Sequence, residues 1–129
     1  MAVTGAGARV KKILIADDNR QIRMLVNVAL RSGGYEIIEA EDGEDTLEKA
    51  IAQHPDLILL DVTMPKLDGF EVLHFLRKRP ETNACSIVML TTAAQKWDLE
   101  RAQEEGAQDY ITKPFEAKAL RETVQRLLS

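Results

Sequence analysis

Leu57-Ile58-Leu59-Leu60-Asp61 sets four consecutive apolar residues directly before an aspartate. A strand with one solvated face alternates apolar and polar side chains, whereas a strand covered on both faces reads apolar throughout. The stretch therefore predicts a central strand of a parallel sheet, running over Leu57–Leu60 and ending at Asp61. The same pattern stands at Lys12-Ile13-Leu14-Ile15-Ala16, followed by Asp17-Asp18-Asn19, and at Ile87-Val88-Met89-Leu90, followed by Thr91-Thr92. Two more polar candidates, Tyr35 to Glu39 and Gln108 to Ile111, carry Glu36, Glu39 and Asp109, as edge strands do.

Between these strands lie helical patterns. Ile22, Leu25, Val26 and Ala29 recur at i, i+3, i+4 and i+7, a stripe expected to face the core, and Gly33-Gly34 closes that helix. Asp42-Gly43 opens a second helix with Leu47, Ala50 and Ile51, which stops before Pro55. A third starts at Asp68, with Glu71 placed for a capping box, buries Phe70, Leu73 and Leu76, and ends at Pro80. The fourth, Trp97 to Glu105, is the least amphipathic, and Gly106 closes it. A fifth follows Lys113-Pro114 with Ala117, Leu120, Val124 and Leu127 on one stripe. Five strand–helix repeats with the polar second and fifth strands at the edges predict an α/β fold. It is a flavodoxin-like (βα)5 doubly wound parallel sheet of strand order 2-1-3-4-5.

The chain's 129 residues suffice for one domain, expected over residues 11–129, and its 45% hydrophobic and 29% charged content is that of an ordinary globular protein. Residues 1–10, rich in Gly and Ala at the start, are expected to form a disordered leader without a signal peptide. A net charge of −4 argues against direct nucleic-acid binding, and the basic run Arg77-Lys78-Arg79 reads as a solvated helix end. No stretch approaches the roughly 20 apolar residues of a membrane span, so no membrane insertion is expected. The single cysteine, Cys85, forms no intrachain disulfide and reads as a small core residue, in keeping with a cytoplasmic location.

Ligands of open parallel sheets bind beyond the carboxyl ends of the strands, at the switch between the first and third. This topology gathers Asp17, Asp18, Asp61, Thr91, Thr92 and Lys113 there. Unit charges about 5 Å apart repel by roughly 3 kcal/mol at an effective dielectric near 20, so three carboxylates call for raised pKa values or a cation. Oxygen ligands without His or Cys favour a hard ion, Mg²⁺. With Asp61 as nucleophile, and Lys113 and the Thr91 hydroxyl balancing phosphoryl charge, the set suits phosphoryl transfer. The ordinary readings are that Asp18 or Asn19 caps the first helix, that His54 and His74 are surface residues, and that Met64 and Trp97 pack.

Ile13 to Asn19, Asp61-Val62-Thr63-Met64-Pro65-Lys66-Leu67-Asp68-Gly69, Met89-Leu90-Thr91 and Lys113-Pro114-Phe115 resemble, in order and spacing, the motifs of the response-regulator receiver family of two-component signalling, the chemotaxis receivers among them. The resemblance runs from about Lys11 to Leu128. It implies that Asp61 is the phosphoacceptor. Asp18 would bind Mg²⁺ directly, Asp17 largely through water, and Thr63 through its backbone carbonyl. Thr91 matches the switch hydroxyl, Tyr110 the switch aromatic, and Lys113 the phosphate-contacting lysine before a cis-proline, Pro114. Thr92 departs from the small residue usual after the switch position.

The implied function is that of a phosphoacceptor regulator rather than an enzyme, with Mg²⁺-dependent self-phosphorylation and slow self-dephosphorylation. Its donor would be a histidine kinase or phosphotransfer protein. Its helix 4–strand 5–helix 5 surface, around Gln95 to Arg101, would control a downstream target protein in a phosphorelay. Exposed side chains of the first helix, Arg20, Arg23 and Asn27, would help select partners. Thr63 and Ala93 occupy the two positions that tune hydrolysis, and neither orients water well. Three alternatives stand beside this reading: a receiver cut from a larger DNA-binding regulator or hybrid kinase, an aspartyl-phosphate hydrolase of a different class, and a flavin-binding electron carrier. The hydrolase needs its nucleophile after the first strand with a second Asp two positions on, and Asp17-Asp18-Asn19 lacks that spacing. The flavin carrier needs a phosphate loop where two aspartates would repel the phosphate.

Overall fold

Leu57–Asp61 (β3) is buried at all five positions, Asp61 included. A computed structural model describes residues 9–92 and 96–129, the side chains of 96–99 excepted. Around β3 lie β1 (Lys12–Ala16), β2 (Glu36–Ala40), β4 (Ser86–Thr91) and β5 (Asp109–Thr112), all parallel, in the order β2-β1-β3-β4-β5. The expected flavodoxin-like order is thus observed, with the polar strands at the edges. Strand ends differ from expectation by one residue: β2 and β5 each begin and end one position later, and β4 extends to Ser86 and Thr91.

Successive side chains of a strand point to opposite faces, and the two cores divide accordingly. Leu14, Ala16, Ile58, Leu60, Ile87 and Met89 face α2 (Gly43–Gln53), α3 (Gly69–Lys78) and Ala102 of α4 (Lys96–Glu104). Ile13, Ile15, Leu57, Leu59, Val88 and Leu90 face α1 (Arg20–Leu30) and α5 (Ala117–Leu128). Continuous apolar runs in β1, β3 and β4 therefore serve two layers of helices.

Helix ends obey local chemistry. Asn19 caps α1, accepting from the backbone N–H groups of Gln21 and Ile22. Asp68 and Glu71 form the expected capping box of α3. Gly34, at φ 73°, ends the 3-10 turn after α1, while His54, at φ 51°, caps α2. His54 and His74 are both exposed and Met64 is buried, in line with their ordinary readings.

Two expectations are corrected. Leu25 is 44% exposed. Each helical residue turns about 100°, so Leu25 lies off the arc that Ile22, Val26 and Ala29 press on the sheet, and Leu30 fills the core instead. Arg77 is not a solvated helix end. Its guanidinium donates to the carbonyls of Gly106, Asn83 and Cys85 and to the Gln108 side chain, joining α3 to the loops before β4 and β5. Cys85 is half-buried against the α2–α3 core, and burial raises its thiol pKa. Of the expected leader, residues 1–8 lie outside the described residues, while Arg9 grips Asp56 through both guanidinium nitrogens, at 2.9 and 2.5 Å. Trp97's side chain, expected to pack, is also outside them.

Candidate functional site

The carboxyl ends of β1 and β3 deliver their aspartates side by side because the strands are neighbours in register, Ala16 opposite Leu60. Asp17, Asp18 and Asp61 each offer a carboxylate oxygen within 4.8 Å of the others. Their surroundings differ. Asp17 is fully buried, Asp61 is 5% exposed, and Asp18 is exposed.

Asp17 is held at four points. Its N–H donates to Ala40 O (3.1 Å), and its Oδ1 accepts from Asn19 N (2.9 Å). Its Oδ2 accepts from Lys113 Nζ (2.6 Å), and its carbonyl accepts from Arg23 Nη1 (2.7 Å). The Asn19 contact forms the turn that starts α1, so one short segment both caps a helix and aims a carboxylate.

Asp61 is fixed by the loop between β3 and α3. Val62 N continues the ladder to Leu90 O (2.9 Å), and Gly69 N returns to Val62 O (2.8 Å), folding that loop back on itself. A Cβ on Gly69 would lie 2.3 Å from the Asp61 carbonyl oxygen, so the first turn of α3 sits against the backbone of Asp61 itself. The far side of the loop is tied to α2, with Gly43 N on Pro65 O and Lys66 Nζ near Asp42 and Glu44. Asp61 Oδ1 lies 3.2 Å from Lys113 Nζ and accepts a long bond from Thr63 N at 3.4 Å. Burial, and after it the negative charge of Asp17, pushes the Asp61 pKa up to about 6, against the opposing pull of Lys113.

Lys113 reaches the site from the turn after β5. Its N–H donates to Thr91 O (2.6 Å), and the Lys113–Pro114 peptide is cis. Burial alone would lower its pKa, but the Asp17 hydrogen bond and the charges of Asp61 and Asp17 more than offset this. The pKa is raised, and the side chain is an ammonium at neutral pH. Thr91 is buried at the end of β4, Thr92 and Thr63 are exposed, and Tyr110 is 38% exposed on β5. Ala93 and Gln95 lie outside the described residues.

One ammonium against three carboxylates leaves two negative charges, and the donors are oxygens only. That set fits a hard divalent cation such as Mg²⁺, with Asp18 turned to solvent for its entry.

Sequence reasoning places Arg23 among the exposed, partner-selecting residues. Its side chain is instead 13% exposed and engaged with Glu39 and the Asp17 carbonyl. Asn27 is also half-buried, donating to Glu39, whereas Arg20 is exposed as expected. Gly69 stands out in the sequence only as part of a motif. The signals for its role are the carbonyl left over at a strand end and a glycine directly after a helix cap.

The chain matches the response regulator receiver domain family over residues 13–125. It is 43% identical over 118 residues to the alkaline phosphatase synthesis transcriptional regulatory protein PhoP of Bacillus subtilis, covering 92% of this chain and 48% of PhoP. It is 34% identical to Protein PilH of Pseudomonas aeruginosa, covering 92% of this chain and 98% of PilH. The chain thus spans about half the length of PhoP and of the similar transcriptional regulators. The solved chemotaxis response regulator CheY4 of Vibrio cholerae superposes with a TM-score of 0.87 at 35% identity, over 93% of this chain and 100% of that one. With the sheet order, the acidic cluster at the switch point and the lysine after β5 in place, the chain belongs to the response regulator receiver domain family.

Proposed function

We propose that the domain takes a phosphoryl group onto Asp61 from a histidine kinase or a phosphotransfer protein and thereby changes the surface built from α4, β5 and α5. The observation that carries this reading is the desolvated Asp61 carboxylate, bracketed by the Lys113 ammonium and within 4.8 Å of Asp17 and Asp18. An Asp61 oxygen forms a bond to phosphorus while the P–N bond of a phosphohistidine donor breaks. The leaving imidazole keeps that electron pair and takes up a proton. With a small donor such as acetyl phosphate, the P–O bond breaks and acetate leaves.

Asp17, Asp18, Asp61 and the Thr63 carbonyl would hold Mg²⁺, which when bound supplies positive charge next to the incoming phosphoryl oxygens. Lys113 contributes a fixed ammonium, and the Thr91 hydroxyl donates to a phosphoryl oxygen once the group is in place. A pKa of about 6 leaves Asp61 ionised at pH 7 and more basic than an ordinary aspartate, which favours attack. Tyr110, exposed on β5, is the aromatic whose reorientation would report the change at Thr91 to the α4–β5–α5 surface. Among the described residues no helix is long and apolar enough to cross a membrane. In this reading the domain is cytoplasmic and meets its donor and its target protein there.

Incubation with labelled acetyl phosphate, with Mg²⁺ and with excess chelator, tests the reading. Label is expected on Asp61 only when Mg²⁺ is present, and none on an Asp61→Asn variant. Stoichiometric label on that variant, or label that survives chelation, would overturn the assignment.

A further inference from the structure

We infer that Arg23, oriented by Glu39, is a positioning residue for the acidic pair Asp17-Asp18, an inference that rests on the metal-site reading above. Asp17 is the first residue past β1, and its carbonyl points out of the strand it ends. A carbonyl there must find a donor or remain in water. It accepts from Arg23 Nη1 at 2.7 Å, one helical turn into α1. That carbonyl belongs to the peptide joining Asp17 to Asp18, so the guanidinium sets the plane from which Asp18 departs. Asp17 has its carboxylate clamped independently, by Lys113 and the Asn19 N–H. Asp18 is exposed, so the backbone before it governs where its carboxylate points.

The guanidinium is itself aimed. Its Nε donates to Glu39 Oε1 at 2.9 Å, while Asn27 donates to Glu39 Oε2 at 3.3 Å. Lys49 Nζ donates to the Glu39 carbonyl at 2.5 Å, tying the end of β2 to α2. Arg23 therefore bridges an edge strand and the β1–α1 turn with its planar fork, at only 13% side-chain exposure. Groups that hold a ligand from behind typically change metal affinity about 10- to 100-fold when removed.

Charge and position predict opposite signs. A cation beside a carboxylate cluster opposes metal binding, so if charge were its whole effect, neutralising Arg23 would tighten Mg²⁺. Positioning predicts that it weakens.

The test is calorimetric titration of Mg²⁺ alone into the full chain at fixed ionic strength, for the parent, Asp18→Ala, Arg23→Met, Arg23→Gln and Arg23→Lys. Arg23→Met, lacking both charge and donor, is expected to bind about tenfold or more weakly than the parent. Lys and Gln each keep a donor for the Asp17 carbonyl and are expected to recover part of that loss. Mg²⁺ affinity in Arg23→Met equal to or tighter than in the parent overturns the inference while leaving the metal site intact. Weakening by Met that neither Lys nor Gln recovers reads as lost local structure and also overturns it. Should Arg23→Met fail to fold, Arg23→Gln decides, since tighter binding than the parent is the outcome of charge alone and overturns positioning. A parent that binds no better than Asp18→Ala removes the metal reading, and the inference with it.

Discussion

Lys113 Nζ lies 2.6 Å from Asp17 Oδ2, closer than the 3.2 Å that separates it from Asp61 Oδ1. The lysine thus neutralises the fully buried carboxylate first and Asp61 only in part. Burial of Asp61, and after it the negative charge of Asp17, raises its pKa, and Lys113 offsets this only in part.

This imbalance makes metal-free stability depend on pH. The Asp61 pKa is about 6 in the folded chain against an ordinary 3.8, so between those values the folded state holds more protons than the unfolded one. Stability contributed at this site is therefore present below about pH 4 and falls as pH rises through 6. Asp61→Asn removes the penalty and is expected to be more stable than the parent by about 1–3 kcal/mol at pH 7.5 in chelator. At pH 4 the gain should vanish. Urea unfolding of both proteins at the two pH values checks this, and an equal difference at both would refute the electrostatic origin.

The two adjacent aspartates should contribute unequally to the metal. Asp17→Ala is expected to weaken Mg²⁺ binding about 10- to 100-fold, as for a residue acting through an intermediary. Asp18→Ala, removing the exposed carboxylate proposed to bind the ion directly, should cost more than that. Calorimetric titrations giving the reverse order would exchange their roles.

Gly69 carries a steric requirement. A methyl group there would stand 2.3 Å from the Asp61 carbonyl oxygen and 2.8 Å from Val62 Cα, both backbone atoms. Gly69→Ala is expected to destabilise the domain by about 1–3 kcal/mol and to slow labelling from acetyl phosphate, because the strain falls on Asp61, the proposed phosphoacceptor. Denaturant midpoint and labelling rate measured together check it. An unchanged midpoint would show that α3 moves away at no cost.

Phosphoryl lifetime should be long. Hydrolysis needs a water held in line with the bond to Asp61, and positioning is most of what a protein adds. Thr63 is exposed with a short hydroxyl, and Ala93, outside the described residues, has no hydrogen-bonding side chain. Installing Asn at 63 and Glu at 93 is expected to shorten the lifetime. Equal rates of label loss from parent and double variant would defeat the water-positioning account.

Activation should be visible at a distance. Amide exchange in α4, β5 and α5 is expected to change on adding a phosphoryl mimic with Mg²⁺, and Thr91→Ala should suppress that change. Identical exchange with and without the mimic would count against coupling to this surface.

The fold was legible because short apolar runs such as Leu57-Ile58-Leu59-Leu60 alternate with longer helical stripes, which marks strands covered on both faces. Polar residues in the second and fifth strands assigned the edges. The site was legible for a related reason, since topology alone carries Asp17, Asp18 and Asp61 to one end of neighbouring strands. Leu25 misled because helical periodicity gives an arc, not its centre, and the sheet presses on only part of α1. Arg77 misled because a basic run looks the same whether it meets water or a ring of loop carbonyls.

The sequence by itself determined the order of elements, the sheet type, the strand ends that bear the acidic residues and the helix cap at Asp68, and it narrowed the first cap to Asp18 or Asn19. These come from local chemistry and short-range periodicity, which neighbouring residues settle among themselves. Only the tertiary structure decided that Lys113 favours Asp17 over Asp61, that Asp18 alone of the three faces solvent, and that Arg23 holds the Asp17 carbonyl. Those are contacts between segments far apart in the chain or between side chain and strand end. Their distances depend on how helices seat on the sheet, and no pattern along the chain encodes them.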